Sequence, residues 1–166
     1  MIHFTLSVEN LPSVRRATGD DLERALEGLR SPTGPTYLNL TGPDGSYAQA
    51  GGTNGRYVVE SRDVYGEGFL HWRAGVPSDS DEKTSVYFYA TCNRRIHRPR
   101  SCPYTIHAAD VLGWEAVKEV LLHYAATGER HRGCSWRDVS SEYRCTPKDD
   151  FISEFVPKSR EDLDAR

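Results

Sequence analysis

No apolar run in this sequence approaches the roughly 20 residues needed to cross a bilayer. The first residues, Met1 to Ser7, carry neither a charged leader segment nor a long apolar stretch. A membrane span and a secretion signal are therefore not expected, and a cytoplasmic location is the default reading. Basic residues are not in excess. The 21 Lys and Arg stand against 24 Asp and Glu, a formal net charge of −3, which argues against a general nucleic-acid binder. Cysteine is sparse: Cys92, Cys102, Cys134 and Cys145 are expected to be thiols in a reducing compartment unless a metal takes them. Internal repeats are missing, as is any linker that would split the chain. The glycine-rich stretch Gly51-Gly52-Thr53-Asn54-Gly55 has no P-loop lysine and hydroxyl, and a strand pattern follows it rather than a helix. It reads as a flexible turn or bulge, and no nucleotide site follows from it.

What is present fits one folded domain of ordinary composition, with 37% hydrophobic and 27% charged residues in a chain of 166. Residues 1–146 read as a single domain and 147–166 as a polar tail. Ile2, Phe4, Leu6 and Val8 alternate with polar residues, the period of a half-buried strand. From Gly19 to Leu29 the apolar positions Leu22, Ala25, Leu26 and Leu29 share a helical face, with Asp20 and Glu23 as a capping pair. Strand-like runs follow at Thr36–Leu40, Ser46–Ala50, Arg56–Arg62, Gly68–Ala74 and Ser85–Thr91. The first two flank a Gly-Pro-Asp-Gly turn at 42–45. A second helix is expected over Asp110–Ala126, its stripe made by Val111, Trp114, Val117, Leu121 and Tyr124, with Gly128 as its stop. Trp136 falls in a last strand or ordered loop, and Trp72, Trp114 and Trp136 are expected in or near the core. Short connections between strands favour antiparallel pairing. The expected fold is α+β: a mostly antiparallel sheet of five or six strands with two main helices packed on one side.

Four patterns carry possible chemistry. Glu60 and Arg62 share one face of a strand, and His71 and Arg73 share a face of its neighbour. Together they predict a polar cluster on the exposed face of the sheet, or cross-strand ion pairs on a solvent face. Arg94, Arg95, Arg98 and Arg100 form a basic patch able to meet an acidic protein surface or phosphates, or to pair with carboxylates of this chain. Cys92, His97, Cys102 and His107 recur every five residues, and two thiolates with two imidazoles are a legitimate zinc set. The spacing is nevertheless wrong for the short knuckle that brings two sulfurs across a tight turn. That set supports the alternative reading of a small zinc- or phosphate-binding module. Cys134 with His131 could be written as nucleophile and base, and Asp138 as a carboxylate site or the start of a turn.

The segment from Val117 to Val139 reads VKEVLLHYAATGERHRGCSWRDV, an amphipathic helix ending in aromatic-x-x-Thr-Gly-Glu, a short spacer and a tryptophan. With SYAQAGG at 46–52 and GRYVVE at 55–60, it resembles the Imm1-like immunity proteins of bacterial polymorphic toxin systems, over about residues 20–140. The resemblance implies a cytoplasmic protein without enzymatic activity or cofactor that binds a cognate toxin domain and blocks it. The arginine-rich 92–107 segment and the partly apolar Phe151–Val156 depart from that family's pattern. The partner-binding residues expected from the sequence are Glu60, Arg62, His71 and Arg73 on the sheet, with Arg94, Arg95, Arg98 and Arg100 in the basic loop.

Overall fold

A computed structural model describes residues 3–66, 68–90 and 100–143, and for 88–90 and 100–104 it describes the backbone alone. The main sheet holds strands β1 (Thr5–Val8), β2 (Val14–Arg15), β3 (Tyr37–Thr41), β4 (Tyr47–Thr53), β5 (Arg56–Tyr65), β6 (Gly68–Gly75) and β9 (Ser135–Asp138). Their order is β2-β1-β3-β4-β5-β6-β9, and every neighbouring pair is antiparallel. The α+β class is as expected, with seven strands in the main sheet rather than five or six. The described part of the run at 85–91, residues 85–90, does not join that sheet. It lies in β7 (Lys83–Ala90), which pairs with β8 (Arg100–His107) as a separate two-stranded sheet. The tail expected over 147–166 lies outside the described residues.

Helix α1 (Gly19–Arg30) starts at a capping box made by Thr18 and Asp21, not by Asp20 and Glu23. The Asp21 amide donates to Thr18 Oγ1 at 3.2 Å, and the Thr18 amide donates back to Asp21 Oδ2 at 2.9 Å. Helix α2 (Trp114–Thr127) stops where expected, with Gly128 left-handed at φ 73° and its amide bonded to the Tyr124 carbonyl. Its start is later than the apolar pattern suggests. Ala108–Asp110 form a 3-10 turn, and Leu112 exchanges two backbone hydrogen bonds with Tyr57, so Val111 leaves the helical stripe. Val111 instead packs with Val58, Val86 and Ile106 in a small cluster beneath the β7–β8 pair.

Alternation along the strands sorts the sheet into two faces. Leu6, Leu38, Leu40, Ala48, Ala50, Tyr57, Val59 and Ala74 point to the helices, where they meet Leu22, Leu26 and Leu29 of α1. From α2 they meet Val117, Val120, Leu121 and Tyr124. Trp114 and Trp136 pack against this core while half-buried. Trp72 is half-buried too, and the Arg130 guanidinium lies 4.0 Å from its ring centre.

The β4–β5 hairpin sets the register of the opposite face. Its turn is Asn54-Gly55, both at positive φ (55° and 75°), the pairing that a two-residue hairpin requires. Gly51, Gly52 and Thr53 are part of β4 rather than a loop. At Gly52, φ is 142°, and an added Cβ would lie 2.2 Å from the Arg56 carbonyl oxygen. Gly52→Ala therefore combines a strained backbone with a backbone collision. A loss of more than about 2 kcal/mol is expected, read as the shift of a urea unfolding midpoint.

Candidate functional site

The face turned away from the helices is built by register. Gln49 pairs with Glu60, Tyr47 with Arg62, Glu60 with Arg73, and Arg62 with His71. Four polar residues thus fall side by side on adjacent strands, as the sequence predicts. Their exposure does not follow the prediction: Glu60 is 5%, His71 0% and Arg73 1% accessible. The reason lies beyond β9, which pairs with β6 and leads into the 3-10 turn Ser140–Tyr143. That turn is pinned over the cluster. The Val139 amide bonds the His71 carbonyl, and the His71 amide donates to Ser140 Oγ, each at 2.8 Å. Asp138 begins the turn by accepting from the Ser140 amide and hydroxyl. Tyr143 then stacks on the His71 ring, with centres 3.8 Å apart.

Inside, Glu60 is the hub. Its Oε2 accepts from Tyr143 (2.7 Å), Gln49 (2.9 Å) and His71 Nε2 (3.2 Å), and its Oε1 faces Arg73 at 2.8 Å. Burial alone would raise this carboxyl. The hydrogen bond from His71, the Arg73 guanidinium and the Tyr143 hydroxyl outweigh burial and hold it at about 2, against an ordinary 4.5. Arg73 also reaches Glu142 at 2.8 Å and Asp110 at 3.8 Å. Arg137, opposite Arg73 on β9, contacts Asp110 and Glu142 as well. Burial acts to raise Glu142, but Arg73 and Arg137 hold it below its ordinary value. Donors and acceptors in this cluster largely satisfy one another, so its main capacity is to hold shape and charge in place.

Toward the surface the face changes character. Tyr37, Asn39, Tyr47, Gln49 and Arg62 are half-buried. The Tyr37 hydroxyl donates to Gln49 Oε1 at 2.8 Å, and Gln49 passes the chain on to Glu60. Arg62 lies over three rings, 4.1 Å from the centre of Phe69, 5.0 Å from Tyr47 and 6.0 Å from Tyr143. Its Nε donates to His71 Nδ1 at 3.4 Å. Burial pushes the Tyr37 and Tyr47 phenols up, so both stay neutral donors.

Of the other expected residues, Cys92, Arg94, Arg95, His97 and Arg98 lie outside the described residues. Arg100 and Cys102 are on β8, where the backbone alone is described, and His107 ends that strand opposite Lys83. Among the described residues, no three of His, Cys, Asp and Glu are grouped to hold a metal ion. Cys134 and His131 are not joined as nucleophile and base. His131 Nδ1 accepts from the Gly133 amide, and its Nε2 faces Glu119 at 3.3 Å. Burial and Glu119 both push the Cys134 thiol up. Sequence reasoning missed Asp110, Arg137, Glu142 and Tyr143. Tyr47 and Gln49 were within reach, because they alternate with the buried Ala48 and Ala50.

A surface cleft of about 430 Å³ is lined by Phe4, Asp44, Asp63 and Tyr124 among others, and no residue of the cluster reaches it. Among the described residues no helix is long and apolar enough to cross a membrane. Comparison of the chain with protein-family models, with curated proteins and with solved structures finds no match.

Proposed function

We propose that this chain is a non-enzymatic binding protein that occludes a partner protein, in the manner of an immunity protein acting on a cognate toxin domain. The face of β3, β4 and β5 is the surface it uses. One observation carries the reading: Arg62, seated over Phe69, Tyr47 and Tyr143, stands half-buried beside Tyr37 at the rim of a self-satisfied charge cluster. Arginine and tyrosine, with tryptophan, are enriched among the energetic anchors of protein interfaces. Here they are already held in place by Gln49, His71 and Glu60, so little conformational freedom is lost on binding. A bacterial cytoplasm belongs to the same proposal, as the place where such inhibitors act.

The test is protection. A toxin domain encoded beside this chain's gene should arrest growth when expressed alone, and co-expression of the chain should restore it. Arg62→Ala combined with Tyr47→Ala should weaken the purified complex at least about 30-fold, the effect of losing one anchor of roughly 2 kcal/mol. A chain that forms no complex, or a folded double variant that protects as well as the parent, would sink the proposal.

A further inference from the structure

We infer that the group received at this face is a carboxylate side chain, an aspartate or glutamate of the partner protein, held by the guanidinium of Arg62. The inference rests on the binding reading above and names the chemistry of the contact.

Three arginines belong to this face, and they are not alike. Arg73 meets Glu60, Asp110 and Glu142, and Arg137 meets Asp110 and Glu142. Every carboxylate of the cluster is thereby engaged. Arg62 has none: among the described residues, no carboxylate lies within the 4.0 Å of an ion pair with it. Its partners are a ring nitrogen and three aromatic faces, which favour the positive charge but accept little from the N–H groups in the plane of the fork. A guanidinium carries five such N–H groups; Nε turns one to His71, and the Tyr47 hydroxyl is within reach of another. The side chain therefore presents unmatched charge and unfilled donors at a half-buried position, fixed before any ligand arrives. A planar fork of this kind is matched by the two oxygens of a carboxylate, in a paired and charge-assisted hydrogen bond.

The same fork would also fit a phosphate, but the surroundings favour the single negative charge. Glu60, Asp110 and Glu142 lie behind the face and the chain carries a net charge of −3, so a densely charged phosphate backbone would meet repulsion. Backbone recognition of a nucleic acid also draws on several cations at once. Here the neighbouring Arg73 and Arg137 are already neutralised. One cation with no carboxylate of its own among the described residues fits one carboxylate.

Acetate is the probe, followed through the arginine Nε–H signals of the full chain by NMR. The expected result is a saturable shift of the Arg62 signal at acetate concentrations about tenfold below those that move Arg24 or Arg30. Those two already sit against Asp21 and Glu27 on the exposed side of α1. Sodium chloride at equal ionic strength should not reproduce the shift. Arg62→Lys should weaken the response about tenfold, and Arg62→Gln should remove it while the amide spectrum keeps its dispersion. No selective response at Arg62 overturns the inference, as does inorganic phosphate or a short oligothymidylate shifting it well ahead of acetate. The protection assay separates the two proposals. A complex that forms equally with Arg62→Gln removes the carboxylate contact and leaves the binding reading standing. An acetate response without any protein complex does the reverse.

Discussion

Arg73→Met is expected to destabilise the protein by about 3–5 kcal/mol, the cost of breaking a buried ion pair by removing one partner. Arg73 is among the largest fully buried side chains, and among the described residues it is the only arginine or lysine paired with Glu60. Without it, Glu60, whose side chain is 6% exposed, loses its guanidinium partner in a space from which water is largely excluded, while Asp110 keeps Arg137. For a chain of this length the loss corresponds to a fall in Tm of roughly 10 °C, measurable by circular dichroism. Part of the loss should return in Arg73→Met/Glu60→Gln, because the second change removes the stranded charge and keeps hydrogen bonds to Gln49 and Tyr143 within reach. A single variant that loses less than about 1 kcal/mol would mean that the charge cluster is wet, contrary to its burial.

Acid should unfold the protein through the same residue. Folding takes the Glu60 carboxyl from an ordinary 4.5 to about 2, so the unfolded chain takes up this proton first as pH falls. The stabilisation is complete above about 4.5 and is lost as the pH drops toward 2. A displacement of that size is worth about 3 kcal/mol at neutral pH. Glu142 and Asp21 are lowered as well and act in the same direction, the first through Arg73 and Arg137 and the second through Thr18 and Arg24. Glu60→Gln should be less stable than the parent at pH 7 and should show a flatter dependence below pH 4.5, the remaining slope belonging to Glu142 and Asp21. The check is ΔG from urea titrations across that range. An acid limb identical in the two proteins would remove Glu60 as its source.

Much of the scaffold is legible in the sequence because it is written in local periods. Leu38, Leu40, Ala48 and Ala50 alternate with less apolar residues, and that alternation both identifies the strands and separates their faces. Gly128 marks the end of α2 because the left-handed turn there suits glycine. The grouping of Glu60, Arg62, His71 and Arg73 was readable for the same reason. Their burial was not. It depends on Ser140–Tyr143, a short turn with no periodic signal, and on contacts from Glu60 to Tyr143 and from Arg73 to Glu142 across 83 and 69 residues. The start of α2 escaped in a related way: Leu112 is drawn to Tyr57 by backbone bonds that side-chain patterning does not register. At α1 the cap was misplaced because Thr18 with Asp21 and Asp20 with Glu23 both fit the capping spacing by type, and only geometry distinguishes them.

The borders of the main sheet restrict how another molecule can attach to it. Among the described residues, one border is the two-residue β2 and the other the four-residue β9. Strands this short offer few free amides and carbonyls in a row, so an extended peptide has almost no ladder to continue, and edge-to-edge growth into larger assemblies is discouraged for the same reason. On the binding reading proposed above, recognition at this sheet would fall to side chains projecting from its surface. It would depend on residue identity at Tyr37, Tyr47 and Arg62 rather than on main-chain geometry, which almost any sequence could match. Substitutions at those few positions could then redirect the protein to a new partner while the scaffold beneath stays as it is.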